Sequence, residues 1–161
     1  MAGLELEIIQ ESPFASLEEE ALLNLLRTSD CLNHAFHIKT RGWGVTSTQY
    51  NVLRILRGAY PKGLTCAAIR SRMITSEPDI TRLLARLKAL KLIRQRRNAQ
   101  DRRSVWTGIS QAGLALLKQM DPMILRLPVE LLGHLSRAEL AELIRLLEVA
   151  RERGEEPEAK R

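Results

Sequence analysis

The chain has 161 residues, 45% of them hydrophobic and 27% charged, with a net charge of +6 and a pI near 9.8. These values describe one soluble globular domain, or two closely joined ones, able to form a core without disulfide or metal staples. No apolar run approaches the roughly 20 residues of a membrane span, and Met1-Ala2-Gly3-Leu4-Glu5-Leu6-Glu7 lacks the basic and apolar stretches of a signal peptide, so a cytoplasmic protein without membrane contact is expected.

Ser16-Leu17-Glu18-Glu19 reads as a capping box that opens a first helix reaching about Lys39. Its apolar residues (Leu22, Leu25, Leu26, Leu32 and Phe36, widened by Leu17, Leu23, Ala35 and Ile38) form a stripe broader than one partner helix needs. Arg41-Gly42-Trp43-Gly44 ends it. Thr46-Ser47-Thr48-Gln49 opens a second helix that stops at Gly58, Pro61-Lys62-Gly63 forms a turn, and Thr65 caps a short helix to about Met73 with Ala68, Ile69 and Met73 inward. The next helix is expected to begin at Ser76-Glu77-Pro78-Asp79, with Ser76 as the cap and Pro78 in the first turn, where a missing N–H costs nothing. Ile80, Leu83, Leu84, Leu87 and Leu90 are its apolar face.

The period then changes. Residues 92–97 and 103–109 read as two strands around the polar turn 98–102, with Val105, Thr107 and Ile109 on one face and Trp106 and Gly108 on the other. A long helix starts at Gln111 and carries Leu114, Leu116, Leu117 and Met120; Pro122 and Pro128 should kink or divide it. Ser136-Arg137-Ala138-Glu139 opens a last helix with Leu140, Leu143, Leu146, Leu147 and Val149, and residues 154–161 form a charged, disordered tail. The order helix, helix, short helix, helix, hairpin, helix, helix predicts a mainly α protein with a small β-hairpin wing: a winged helix-turn-helix flanked by N- and C-terminal helices.

Charge is distributed unevenly. Residues 46–110 hold 14 Lys/Arg against three acids, a net of +11, whereas the rest holds 11 bases and 16 acids, a net of −5. A basic segment between acidic flanks points to a polyphosphate partner, double-stranded DNA for this element order. On the helix after Ser76, the side opposite the leucines carries Pro78, Thr81, Arg82, Ala85, Arg86 and Ala89, a face able to approach another surface closely. Arg82 and Arg86 suit bidentate contact with guanine in the major groove, Thr81 a base or phosphate, and Ala85 a thymine methyl, while Ser76 and the helix start suit a phosphate. The hairpin concentrates Arg94, Arg96, Arg97, Arg102 and Arg103, a like-charge cluster that opposes folding unless a polyanion compensates it. Arg97 and Arg102 are candidates for the minor groove, Arg94 and Arg96 for backbone contact, and Asp101 for pairing with Arg103 to shape the turn.

Leu64-Thr65, Ser76-Glu77-Pro78-Asp79-Ile80-Thr81-Arg82-Leu83-Leu84-Ala85-Arg86-Leu87, Leu92-Ile93-Arg94 and Asp101-Arg102-Arg103 together resemble the core of MarR-type transcriptional regulators. Ile109-Ser110-Gln111-Ala112-Gly113 is similar to that family's Leu-Thr-x-x-Gly, and Thr46-Ser47-Thr48-Gln49-Tyr50-Asn51-Val52-Leu53 to its second helix. The resemblance implies a homodimer on a pseudo-palindromic operator, usually repressing, and released by a small ligand or oxidant. It implies an N-terminal arm and dimerisation helix at 1–45, the DNA-binding domain at 46–110 and C-terminal dimerisation helices at 111–153. The sequence departs at Lys91, where the family commonly has Gly; left-handed backbone there costs a non-glycine residue about 1–2 kcal/mol.

Other candidates carry less. His34 and His37 share a helix face at i, i+3, but no third ligand completes a metal site, so no metal or other cofactor is expected. Cys31 and Cys66 read as buried reduced thiols; Cys31 adjoins Asp30, whose charge opposes the thiolate a redox sensor needs. Trp43, Tyr50 and Trp106 are candidates for an effector pocket, although core packing explains each. No nucleophile–base pair, phosphate loop or carboxylate pair supports catalysis, so the chain reads as a non-enzyme. The rival to a sequence-specific regulator is a winged-helix module that binds a protein or any nucleic acid through its basic face.

Overall fold

A computed structural model describes residues 3–75, 79–97 and 105–152. The helices are α1 (Leu4–Glu7), α2 (Leu17–Arg41), α3 (Ser47–Gly58), α4 (Cys66–Arg70), α5 (Ile80–Ala89), α6 (Gln111–Leu132) and α7 (Arg137–Glu152). Strands β1 (Leu64–Thr65), β2 (Ile93–Arg97) and β3 (Val105–Ile109) make one antiparallel sheet in the order β1-β3-β2. The architecture is the expected mainly helical winged helix-turn-helix. The chain divides into a unit through Ile124 and a second from Leu125 onward.

Three of the expected caps form as the sequence implies. At α3 the Gln49 N–H donates to Thr46 Oγ1 (3.2 Å) and the Thr46 N–H donates to Gln49 Oε1 (2.9 Å). At α7 the Glu139 N–H donates to Ser136 Oγ while Glu139 accepts from the Ser136 N–H, and these bonds hold the Glu139 carboxyl below its ordinary range. Thr65 caps α4 by accepting from the Ala68 N–H. At α2, Ser16 is the cap, but Glu19 reaches one residue further back, to the Ala15 N–H (2.6 Å).

The core of the first unit gathers Val52, Leu53 and Leu56 of α3, Ile69 of α4, Ile80, Leu83, Leu84 and Leu87 of α5, Ile93 and Ile109 of the sheet, and Leu117 and Met120 of α6. These residues are the apolar faces expected from helical and strand periodicity. Phe36 packs against the cluster from α2, its ring 5.5 Å from that of Tyr50. Burial pushes the Tyr50 phenol above its ordinary range. On the outside, Arg57 of α3 donates to both Asp121 oxygens of α6 (2.8 and 2.9 Å), a half-exposed ion pair of modest worth.

Five expectations need correction. The cap of α5 is Asp79, not Ser76: the Arg82 N–H donates to Asp79 Oδ1 (2.9 Å), and a carboxylate at that position also favours the positive end of the helix. Ser76, Glu77 and Pro78 lie outside the described residues. Leu90 is the C-cap of α5 and half exposed, so it drops out of the apolar face. Pro122 and Pro128 do not divide α6, which is continuous; both are exposed, so their rings stand outside the packed core and the helix runs past them. Cys31 is exposed, because only part of the length of α2 lies against the core, and Cys66, at the start of α4, is half-buried at the core's edge. Finally, the structure adds α1 and the two-residue β1, both too short for any periodicity to show in the sequence.

Candidate nucleic-acid interface

The segment that carries the basic face is held from three sides. Buried Asn51 of α3 accepts from the Ile74 N–H (3.3 Å), pinning the turn between α4 and α5 to the core. At the far end, the Leu92 N–H donates to Leu87 O (3.1 Å) and the Lys91 N–H to Lys88 O (2.9 Å), the pair of bonds that defines a Schellman stop. Lys91 itself has φ +59°, left-handed backbone to which glycine is better suited. Buried Ser110 then joins three elements: its hydroxyl donates to Lys91 O (2.7 Å), accepts from the Gly113 N–H of α6 (3.0 Å), and its own N–H donates to Leu92 O (3.0 Å). Gly113 is required because a Cβ there would collide with the Leu92 carbonyl oxygen. Ile109-Ser110-Gln111-Ala112-Gly113 is therefore a clamp that fixes the end of α5 against the base of the wing.

With its leucines turned inward, α5 exposes Thr81, Arg82, Ala85, Arg86, Lys88 and Ala89. Thr81, Ala85, Lys88 and Ala89 line an open depression of about 520 Å³ that continues onto β2 at Gln95. Neither Arg82 nor Arg86 pairs with an acid among the described residues. Lys88 and Gln95 extend the site beyond the residues read from sequence. Lys88 stands three positions after Ala85, so a complete helical wheel finds it; Gln95 depends on the strand register.

That register sorts the wing arginines. Ile93 and Thr107 are buried and Gln95 donates to Thr107 Oγ1 (3.4 Å), so the odd positions of β2 face the core and α5, and Arg97 shares their parity. Arg94 lies opposite Gly108 and Arg96 opposite Trp106, on the other face of the sheet. Asp101, Arg102 and Arg103 lie outside the described residues. Of the aromatic candidates, Tyr50 is buried and Trp43 packs on the same core, whereas Trp106 stands on the outward face of the wing. Among the described residues no group of three His, Cys, Asp or Glu is placed to hold a metal, and no helix is long and apolar enough to cross a membrane.

A sequence profile described as "MarR family" matches residues 43–104. A MarR transcription factor of known structure from Planctomyces limnophilus is 38% identical over 85% of this chain and 99% of its own, with a TM-score of 0.66. The chain belongs to the MarR family. Its members are DNA-binding winged-helix transcription regulators, typically without enzymatic activity. The fold is shared more widely. A mutant MarR from E. coli complexed with operator DNA matches at 21% identity and a TM-score of 0.72, over 92% of this chain and 99% of its own. BpsR of Bordetella bronchiseptica, whose DNA binding is regulated by 6-hydroxynicotinic acid, matches at 23% identity and 0.75, over 87% and 98%. Among curated proteins, none matches the sequence.

Proposed function

We propose that this MarR-family chain is a homodimeric repressor that binds a pseudo-palindromic operator and is released by a small effector. The observation that carries the reading is the exposed face of α5, where Arg82 and Arg86 stand beside Thr81 and Ala85 without acidic partners among the described residues. Arg82 and Arg86 would read guanines, with Thr81, Ala85 and Lys88 closing on the groove wall. Arg97, on the α5 side of the sheet, and Arg102 would enter the minor groove. Pro78 and Ser76, which precede the Asp79 cap in the chain, would approach the DNA, Ser76 against a phosphate, and Asp101 with Arg103 would shape the wing. Arg94 and Arg96 lie on the face of the sheet turned away from α5.

The dimer is supported by the apolar residues that a single copy leaves in water. Leu17, Leu22, Leu25, Leu26 and Ile38 are exposed along α2, and Ile144, Leu146 and Val149 along α7. Large exposed apolar surface marks an interface. Residues 1–45 and 111–153 then supply the dimerising helices and 46–110 the DNA-binding domain.

Sedimentation equilibrium and operator titration test the proposal together. The expected result is twice the chain mass and binding whose salt slope falls by about one unit on Arg97→Ala. A monomer with weak, sequence-indifferent binding at low salt would instead establish the rival reading, a general interaction module.

A further inference from the structure

The outward face of the wing sheet forms a cleft of about 470 Å³, within the usual range for a small-ligand site. Its floor is β2 and β3, with Arg94, Arg96 and Trp106, and its wall is the turn of Tyr60, Pro61 and Lys62. The wall stands close because of one residue. Gly63 has φ +82°, and a Cβ there would lie 2.6 Å from Thr107 O, so only glycine lets the turn press onto β3. At the near end Gln111 donates to Tyr60 Oη at 3.5 Å.

Lys62, Arg94 and Arg96 are three cations in one cleft, and among the described residues no acid lines it. None of the three has an ion-pair partner among the described residues. Arg94 and Arg96, two apart on a strand, have backbones about 7 Å apart, a spacing that two guanidinium groups can close around one multivalent anion. A carboxylate would answer one of these charges. A phosphate monoester carries about −1.5 to −2 and three acceptor oxygens, and suits the fork geometry of arginine. Beside them the half-buried indole of Trp106 and the ring of Tyr60 offer faces for a flat, apolar group.

We propose that this cleft binds a small phosphate ester carrying a planar ring, of the size and class of a nucleoside monophosphate, with the phosphoryl group between Lys62, Arg94 and Arg96 and the ring against Trp106. Occupant choice follows from the strand register: the cleft opens on the face turned away from α5, and its concave wall suits a compact ligand better than a duplex backbone. The site names an effector class for the regulator proposed above and rests on that reading only for its consequence. Binding is measured on the free protein, so failure of operator binding would leave the result intact.

The chain has two tryptophans, so a nitrogen-labelled sample gives two indole N–H signals, assigned through Trp43→Phe. Titration with the four common nucleoside monophosphates should move the Trp106 signal saturably and leave Trp43 in place. Adenosine alone and inorganic phosphate alone should each bind at least about tenfold more weakly, as should adenosine monophosphate to the Arg94→Gln/Arg96→Gln variant, whose remaining spectrum reports an unchanged fold. No shift at up to about 10 mM nucleotide, well above a millimolar dissociation constant, would overturn the proposal. Inorganic phosphate binding as tightly as the nucleotides would also overturn it, leaving only an anion-attracting surface. A mixed-sequence duplex that moves Trp106 while the nucleotides do not would return Arg94 and Arg96 to the DNA backbone.

Discussion

The face of α5 and the outer stripe of α2 are both exposed, and they expose opposite chemistry. On α5 the outward residues are arginines, a lysine, a threonine and small alanines; on α2 they include Leu17, Leu22, Leu25, Leu26 and Ile38. Charge on a solvated face costs little, so the arginines reveal a partner only through their company: small residues that permit close approach and, among the described residues, no acid paired with them. Leucines in water are costly, at about 25 cal/mol for each Å² left uncovered. Leu22 and Leu26 are 56% and 59% exposed, which a partner would relieve. One surface is selected by electrostatic and steric fit to an anion, the other by burial. The two should respond differently to substitution and to salt.

The largest effect is expected on the apolar side. Leu22→Glu combined with Leu26→Glu places charge in the proposed interface, where each unpaired carboxylate costs several kcal/mol. Dimers should dissociate at micromolar concentration, seen by light scattering, and operator affinity should fall at least about a hundredfold because one half-site remains. If the double variant stays dimeric, the α2 stripe is not the interface. On the charged side, Arg86→Ala should cost about 1–3 kcal/mol on the operator and relax discrimination at one base pair. Equal losses on operator and random duplex would place Arg86 on phosphate and remove its base-reading role.

Smaller effects address the clamp that holds the α5 surface in place. Ser110→Ala deletes a hydroxyl bonded to Lys91 O and the Gly113 N–H in a buried position, and should lower stability by about 1–3 kcal/mol in denaturant unfolding. Thr at that position should restore most of the loss; a silent Ser110→Ala would show that the wing base does not depend on the clamp. The smallest effect has the opposite sign. Lys91→Gly relieves left-handed backbone and should raise stability by up to about 1 kcal/mol, partly offset by the unfolded-state entropy of glycine. A destabilised Lys91→Gly would mean that the lysine stem packs where its backbone is strained.

Much of this arrangement was legible in the residues. Capping boxes at Thr46 and Ser136, the leucine period of α5 and the alternation of Val105 to Ile109 each express a local physical preference, and each produced the expected element. The left-handed backbone at Lys91 follows from no local rule in the sequence; the family resemblance marks the position only through its usual glycine. What escaped has a common cause. The cap passed from Ser76 to Asp79 because two good capping residues stand three apart and only tertiary packing decides between them. The outward placement of Arg94 and Arg96 depends on register, which shifts every side chain to the opposite face for a one-residue slip. Residue composition marked the wing as basic, but the face to which each arginine points came from pairing with β3. The cleft with Tyr60 and Lys62 is further removed still, since it depends on a glycine pressed against a strand more than 40 positions away in the chain.

Whether a dimer reads bases through α5 is decided by selecting duplexes from a random library with the purified chain. The expected product is an inverted repeat with half-site centres about 10 base pairs apart, bound at least about a thousandfold more tightly than unselected DNA at physiological salt. A library that emerges without an inverted repeat, with selected and unselected duplexes bound equally, would contradict it.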